Sequence, residues 1–291
     1  MISVRKIWRQ QENPAIKIGS ELIKLRIYRV VLMKKPKWVV DKERVRKSEK
    51  EESFFLFGLH AVEDALLNPR RQKLRLVVTK NAQSKLARAI EFSGIIPEVS
   101  EPRDFNSFID KNSIHQGALL EVRPLEWGSL MDVVMQSKSK LPNLVLLDRV
   151  TDPHNVGAIL RSAEVFGASA VVGTRHHSVP ETGALAKAAS GALERQPYIR
   201  VKNLSDTILE LKKMGFVALG LDATGLNNIS EAAKLYSDRP IALILGAEGP
   251  GLRSRTKEVA DALIKIEPIS SFGSLNVSNA AAVGLYSITA V

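Results

Sequence analysis

The sequence contains no cysteine, so disulfide bonds and thiolate chemistry are excluded. A reducing, intracellular setting suits such a chain best, and we expect a cytoplasmic protein. No apolar run approaches the ~20 residues that a membrane-spanning helix needs. The five histidines are scattered without the spacing of metal ligands, so no metal site is predicted. The content of 45% hydrophobic and 25% charged residues is typical of a globular protein with about two domains.

Positive charge is concentrated at the amino terminus. Of the net charge of +11, residues 1–50 contribute +10, with 15 Lys and Arg against 5 Asp and Glu. The rest of the chain holds 27 against 26 and is nearly neutral. We therefore predict a basic, disordered arm over residues 1–52 that contacts a polyanion such as RNA. A solvated tail without a partner, a transit peptide and translation from Met33 are the alternatives.

Two domains are predicted after this arm. A small α/β domain over residues 53–123 alternates short strands with helices, one of them over 82–93. Residues 124–142, which are rich in Pro, Gly, Ser and Lys, form a linker to a second domain over 143–291. There, apolar strands alternate regularly with helices, including an Ala-rich helix over 184–193. This alternation predicts βαβ units on a parallel sheet, and hence the α/β fold class.

Three unusual loops follow strands of the second domain, and open parallel sheets bind ligands at the carboxyl ends of their strands. The first loop, 148–157, enters a helix that carries Arg161. The second, 246–251, is rich in glycine but lacks lysine and has Glu248 at its centre, so it does not suit a phosphate. A nucleotide-dependent enzyme of the Rossmann type is therefore disfavoured.

The third loop precedes the last predicted helix. Ser274, Asn276 and Ser278 suit either capping of the first N–H groups of this helix or contact with a ligand. The helix then continues with small residues over 280–284. Since such residues leave little bulk on a helix face, we expect another element to pack very close to its backbone.

Asn155 and Arg161 lie six residues apart, which is about 240° around a helix. They cannot share one helix face, and Asn155 is expected at the mouth of the helix. The apolar neighbours of Arg161 predict its partial burial. A buried arginine needs a partner, and Glu248 is a candidate.

The three loops together resemble the motifs of a known family. Asn155-x-Gly-x3-Arg161, Gly246-x-Glu-Gly-x-Gly251 and Ser274-Leu-Asn-Val-Ser278, in this order, are similar to those of the SpoU/TrmH family of SPOUT-class RNA 2′-O-ribose methyltransferases. The run from Leu147 to Gly157 most resembles the branch that methylates a guanosine of 23S rRNA. In that branch a small ribosomal-protein-like substrate-binding domain comes first, which matches residues 54–122.

The resemblance implies a fold, a cofactor and a set of site residues. Members of the family thread their C-terminal segment into a trefoil knot, bind S-adenosylmethionine there and form homodimers. Carried over by motif, the catalytic group comprises Arg161, Asn155, Glu248, Ser274 and Asn276. The cofactor contacts carried over in the same way are Gly246, Ile266, Leu275, Gly249 and Ser270.

The implied chemistry moves a methyl group from a sulfonium to a ribose 2′-oxygen, whose proton must also be removed. Arg161 normally stays protonated, so we expect it to stabilise the developing alkoxide while Asn155, Glu248 and Asn276 hold it in place. The alternatives are the same chemistry on tRNA or another rRNA site, and a non-catalytic RNA-binding protein.

Overall fold

The computed structural model describes residues 53–110, 113–269 and 274–290. The predicted arm over residues 1–52 and the cofactor residue Ser270 lie outside these ranges. The described chain contains two separate sheets, one of four strands and one of seven. We call residues 53–123 the N-terminal unit and residues 143–290 the C-terminal unit.

The sheet of the N-terminal unit has the strand order β1-β4-β2-β3. Its strands are β1 (Phe54–Phe57), β2 (Lys73–Val78), β3 (Pro97–Val99) and β4 (Ala118–Val122). β3 runs parallel to β2, and the other neighbouring pairs are antiparallel. The unit also contains α1 (Leu59–Leu67), α2 (Lys80–Lys85), α3 (Ala87–Ser93) and a 3₁₀ helix (Pro102–Ser107).

The prediction of a single helix over 82–93 is wrong, because the structure has two helices that meet at Leu86. Its backbone (φ −94°, ψ 5°) departs from helical values, and its side chain is buried in the core. Burial of this leucine thus accompanies a bend that helical periodicity does not reveal. Beyond this unit, the predicted linker contains α4 (Leu130–Met135), which begins at a capping box formed by Ser129 and Asp132.

The sheet of the C-terminal unit has the order β7-β6-β5-β10-β8-β11-β9, and every neighbouring pair runs parallel. The parallel sheet predicted from the sequence is confirmed. Its strands are β5 (Leu144–Asp148), β6 (Ala170–Thr174), β7 (Tyr198–Val201), β8 (Val217–Leu221), β9 (Asn227–Asn228), β10 (Ile241–Gly246) and β11 (Ala262–Lys265). The two-residue edge strand β9 was not predicted, since it is too short to show a hydrophobic pattern.

Helices alternate with these strands. They are α5 (Pro153–Val165), α6 (Gly183–Ala189), α7 (Leu204–Lys213), α8 (Ile229–Leu235), α9 (Ser254–Val259) and α10 (Val277–Thr289). The helix predicted over 184–193 ends early, because Ser190 (φ 48°) and Gly191 (φ 85°) both adopt left-handed conformations. A short 3₁₀ helix (Ala192–Glu194) follows. No helix in the described ranges is long and apolar enough to cross a membrane.

The C-terminal helix α10 packs on β10 and α5, near the middle of the sheet. A Cβ added at Gly284 would lie 2.7 Å from a methyl carbon of Leu243 in β10. The close approach that the small residues predicted is therefore present, and it brings the start of α10 to the carboxyl edge of β10.

Candidate active site

Two of the three loops meet because their strands are neighbours. Gly246, at the end of β10, is paired in register with Asp148, at the end of β5. The carboxylate of Asp148 is buried, accepts the backbone N–H of Arg253 at 3.0 Å and pairs with the Arg253 Nε at 2.6 Å. This bridge fastens the loop after β10 to the loop after β5.

The loop after β5 places Asn155 on the inner side of α5. Asp152 caps the helix by accepting the N–H of His154 at 2.9 Å, and Pro153 occupies the first helical position. Asn155 follows in the first turn and is buried. The capping residues therefore orient the amide of Asn155 toward the loop after β10.

Glu248 is presented by a tight turn in the loop after β10. Ala247 and Gly251 exchange backbone hydrogen bonds of 3.2 and 2.9 Å across this turn. Gly249 (φ 83°) and Gly251 (φ 67°) adopt the left-handed conformation that closes it. The glycines thus serve the geometry of the turn, and Glu248 stands exposed at its tip.

Asn155, Glu248 and Asn276 form a hydrogen-bonded triad that joins all three loops. The Glu248 Oε1 accepts from the Nδ2 of Asn155 at 2.9 Å and from the Nδ2 of Asn276 at 2.7 Å. The Nδ2 of Asn276 also donates to the Oδ1 of Asn155 at 3.0 Å. Within the described ranges, the second oxygen of Glu248 has no hydrogen-bond partner.

Ser278 orients Asn276. Its backbone N–H and its hydroxyl donate to the Oδ1 of Asn276 at 2.8 and 2.6 Å. This leaves the Nδ2 of Asn276 directed at Glu248. The hydrogen bond from the Ser278 N–H also makes Asn276 the N-cap of α10. The sequence predicted the cap, but the orienting role of the Ser278 hydroxyl was missed, although an Asn-x-Ser sequence at a helix start is the signal for it.

Arg161 is not part of this triad. It is exposed, and it has no hydrogen-bond or ion-pair partner among the residues that the structure describes. The predicted partial burial is wrong, and so is the predicted pairing with Glu248. The reason is helical rotation: buried Ile159 and Leu160 occupy the inner face of α5, which turns Arg161 outward. The expectation that Asn155 and Arg161 face different directions is confirmed.

A cleft of about 940 Å³ opens beside the triad, between the loops after β8, β10 and β11. Most residues carried over by the sequence motifs line it: Glu248, Ser274, Asn276, Gly246, Gly249, Ile266 and Leu275. Apolar residues contributed by the sheet and by α10 form other parts of its wall, among them Leu221, Leu245, Val277 and Ala280. The cleft therefore combines apolar walls with a polar mouth, as ligand sites do.

One end of the cleft carries the ion pair of Lys257 with Asp222, at 2.7 Å. Burial opposes ionisation of Asp222, but the hydrogen bonds from Lys257 and Thr224 hold its pKa below the usual value. This carboxylate is therefore charged and already neutralised by its partner.

Comparison with protein families matches both units. The model of the SpoU rRNA methylase family matches residues 142–286, and a model for RNA 2′-O ribose methyltransferase substrate binding matches residues 55–128. A protein of Staphylococcus aureus strain MSSA476, whose name assigns it to the TrmH family of tRNA/rRNA methyltransferases, is 33% identical over 242 residues. The match spans 81% of this chain and 96% of that relative. The chain belongs to the SpoU/TrmH family of RNA methyltransferases.

Solved structures of this family share the fold. The SpoU methyltransferase AviRb from Streptomyces viridochromogenes, in complex with the cofactor AdoMet, is 23% identical with a TM-score of 0.67, and the match covers 84% of this chain and 92% of AviRb. An AdoMet-bound rRNA methyltransferase from Sinorhizobium meliloti is 22% identical with a TM-score of 0.68, over 84% of this chain and 89% of that protein. A structure from Porphyromonas gingivalis, described as a TrmH-family RNA methyltransferase, is 26% identical with a TM-score of 0.66, over 86% and 92% of the two chains.

Proposed function

We propose that this chain transfers a methyl group from S-adenosylmethionine to a ribose 2′-hydroxyl of RNA. The observation that carries this proposal is the triad of Asn155, Glu248 and Asn276 at the mouth of the 940 Å³ cleft. It joins the three loops whose motifs define the resemblance, at the edge where parallel sheets bind ligands.

The cleft suits S-adenosylmethionine. Its volume lies within the range of about 300–1,000 Å³ of small-molecule sites. Gly246, Gly249, Ile266 and Leu275 line it and would hold the cofactor chiefly through backbone groups, with Ser270 as a further proposed contact. The acidic group at its mouth, Glu248, is compatible with a cationic ligand. When bound, the cofactor supplies an electrophilic methyl group.

Residues of the chain itself would bind the ribose and stabilise the charge that develops on it. We propose that Glu248, held by two amide donors, accepts a hydrogen bond from the ribose hydroxyl through its free oxygen, and that Ser274 contacts the substrate at the same mouth. The hydroxyl proton is released to solvent at this exposed mouth as the methyl group is transferred. Arg161 does not line the cleft, and for it we propose the role that the motif implies, which is to stabilise the negative charge that develops on the 2′-oxygen. It is suited to this because its charge is not neutralised by any described carboxylate.

RNA is the substrate that the charge distribution favours. Beyond β5, β6 and β7, the exposed cations Arg149, Arg175 and Lys202 have no ion pair in the described part of the chain, although Asp206 borders the same surface. Around β8, β10 and β11, by contrast, cations are paired. These pairs are Lys257 with Asp222, Arg253 with Asp148 and Lys265 with Glu267. The unpaired cations after β5, β6 and β7 suit a phosphate backbone. The paired cations around β8, β10 and β11 suit a ligand of low net charge.

The target we propose is a guanosine of 23S rRNA, because the run from Leu147 to Gly157 resembles that branch of the family. A tRNA or another rRNA site is the second candidate, since relatives carry names that include both substrates. Mapping of ribose methylation across all rRNA and tRNA in a deletion strain tests this. Loss of one guanosine methylation in 23S rRNA is expected, and an unchanged set of sites would contradict the proposed function.

We also propose a homodimer. Val165 at the end of α5 and Val283 and Tyr286 on α10 are exposed apolar side chains on two helices that pack together. The ring of Tyr286 rests edge-on against Phe166, with centroids 6.1 Å apart. A second copy would bury this surface. Light scattering of the purified chain is expected to give twice the chain mass, and Tyr286→Glu is expected to lower it.

The trefoil knot and the domain boundaries at 53–123, 124–142 and 143–291 remain part of the proposal. In its favour, the chain leaves β11 near one edge of the sheet and returns, beyond residues 270–273, as α10 at the middle of the sheet. A non-catalytic RNA-binding protein is the other class of function. Calorimetric titration with S-adenosylmethionine separates the two, because only the methyltransferase is expected to bind it.

A further inference from the structure

A buried ionic cluster, none of whose residues lines the cleft, joins the two units. The guanidinium of Arg71 meets the carboxylate of Glu194 through Nη2 at 2.6 Å and Nε at 3.0 Å, and that of Glu181 through Nη1 at 3.0 Å. The exposed fractions of these side chains are 0, 3 and 8% respectively. None of the three belongs to a motif of the methyltransferase site.

Every polar group of this cluster has a partner. The Nη1 of Arg71 also donates to the carbonyl of Arg123 at 2.7 Å. Glu181 accepts the backbone N–H of Leu125 at 3.2 Å, and Glu194 accepts from the Nδ2 of Asn68 at 2.9 Å. A buried pair is tolerated only when its remaining hydrogen-bonding capacity is satisfied in this way.

The charges of the cluster also balance. Lys73 donates to the carbonyl of Asn68 at 2.8 Å and is attracted electrostatically to Glu194, so two cations stand against two carboxylates. Burial opposes the charge of Arg71, but Glu194 and Glu181 raise its pKa above the ordinary value. Arg71 therefore stays charged. Burial raises the pKa of Glu181, although Arg71 and the N–H of Leu125 oppose this shift. Replacement of Arg71 would leave both acidic side chains buried without their main partner.

The cluster holds α6 at both ends. Arg71 lies in the turn between α1 and β2 of the N-terminal unit, while Glu181 precedes α6 and Glu194 follows it. Between these points α6 packs directly on β1, where a Cβ added at Gly183 would overlap the carbonyl oxygen of Phe55. The N-terminal unit thus packs on the start of α6 and is tied by the cluster to the residues on either side of this helix.

From α6 the close packing continues to the active site. A Cβ added at Gly157 in α5 would lie 2.5 Å from the Cβ of Ala188 in α6. The same helix α5 carries Asn155 and Arg161. An uninterrupted stack of β1, α6 and α5 therefore connects the N-terminal unit with the residues of the proposed site, and interiors packed this closely transmit displacement.

We propose that Arg71, Glu181 and Glu194 are positioning residues, which fix the N-terminal unit on α6 so that RNA bound by this unit meets the active site in one orientation throughout turnover. This rests on the proposed function, because it assigns the RNA contact to the N-terminal unit. The competing arrangement is a unit that swings on the segment 124–142.

A crosslink across the boundary of the units tests this directly. Asp64 on α1 and Arg195 beyond α6 form a partly exposed ion pair, with Oδ1 and Nη1 2.8 Å apart, outside the buried cluster. Because the chain has no cysteine, the pair Asp64→Cys and Arg195→Cys can be joined by a short bismaleimide at these two positions alone. The single variants, treated with the same reagent, are the controls.

The crosslinked form is expected to bind RNA and to methylate it within about twofold of the untreated double variant. A loss of tenfold or more on crosslinking, with unchanged affinity for S-adenosylmethionine, would mean that the unit must move and would overturn the proposal. Methylation of RNA by the wild-type chain tests the proposed function. The crosslinking test instead compares methylation by the treated and untreated forms of one variant. The two failures are therefore distinguishable.

Substitution of Arg71 provides the second test. Arg71→Gln is expected to raise the KM for RNA about tenfold while the affinity for S-adenosylmethionine is unchanged. Arg71→Lys is expected to restore little, because it cannot form the forked contact with Glu194. Arg75→Gln, which removes an exposed pair with Glu98 in the same unit, is the control. A folded Arg71→Gln protein that loses thermal stability but keeps the wild-type KM would overturn the positioning role, and if the variant does not fold, the crosslink decides.

Discussion

Two of the clusters in the described chain surround carboxylates with nitrogen donors. They differ in how much of the hydrogen-bonding capacity of those carboxylates is left without a partner. At the boundary of the units, Glu181 and Glu194 are buried and their contacts are completed within the protein. In the active-site triad, Glu248 and Asn276 are exposed, and one oxygen of Glu248 has no partner in the described ranges. The closed cluster holds the two units together, while the open one retains capacity for a ligand. Substitution in the closed cluster should chiefly lower stability, and substitution in the open one should chiefly lower the rate of methyl transfer.

The largest expected effect is the loss of stability when the closed cluster is broken. Arg71→Met leaves Glu181 and Glu194 buried without their main counter-charge and should cost about 3–5 kcal/mol, equivalent to a fall in melting temperature on the order of 10 °C. Calorimetry or thermal circular dichroism measures it. Arg75→Met, which removes only an exposed pair with Glu98, should cost less than about 1 kcal/mol. Equal losses in the two variants would contradict the comparison.

Replacement of Arg161 should lower the rate of methyl transfer without lowering stability. Because this side chain is exposed and unpaired in the described structure, Arg161→Ala should leave the melting temperature unchanged. Its loss removes the proposed stabilisation of the 2′-oxygen, so single-turnover methyl transfer should fall by about 10²–10³-fold. Arg161→Lys keeps the charge but not the planar fork and should remain well below wild type. Near wild-type turnover in that variant would refute the role given to Arg161.

Glu248→Gln tests the centre of the open cluster. The substitution keeps a group that can accept from Asn155 and Asn276, but it replaces charge-assisted hydrogen bonds by weaker neutral ones. We expect about tenfold slower methyl transfer, or roughly 1.4 kcal/mol in the barrier, with little change in the free energy of unfolding. Pre-steady-state kinetics with saturating RNA measures the rate. A variant that is destabilised but fully active would place Glu248 among the structural groups instead.

The smallest expected effect concerns Ser278. Its hydroxyl is one of two donors to the Oδ1 of Asn276, and in Ser278→Ala the backbone N–H remains. A single hydrogen bond of this kind is worth about 0.5–1.5 kcal/mol, so kcat should fall by about threefold to tenfold. Asn276→Ala, which removes the oriented group itself, should be slower still. If Ser278→Ala were the more damaged of the two, the hydroxyl would have a role beyond orienting Asn276.

The sequence predicted the layout of the C-terminal unit well because its signals are local. Buried apolar strands alternate with helices, and Asp152 and Pro153 mark the start of α5 through capping chemistry that acts within four residues. The early end of α6 was not predictable in this way. It depends on left-handed backbone at Ser190 and Gly191, where Gly191 lies against Asp64 of the N-terminal unit.

The contacts within the active site were likewise not predictable from local sequence patterns. Motifs identified Asn155, Glu248 and Asn276, but not which of them bond. Glu248 was considered a partner for Arg161 because a partly buried arginine was expected to need one. Closure of three loops decides those contacts, and their separations of 93 and 121 residues carry no local pattern. The cluster around Arg71 went unpredicted for this reason, since Glu181 and Glu194 lie 110 and 123 residues away.

One measurement tests the central claim most directly. The purified chain is incubated with S-adenosylmethionine labelled in its methyl group and with rRNA from a strain that lacks the protein, and the digested nucleosides are identified by mass spectrometry. The account predicts label in a 2′-O-methylated nucleoside, with guanosine expected, and about tenfold slower labelling by the Glu248→Gln variant. Label on a base, or no label in RNA from a chain that binds the cofactor, would contradict it.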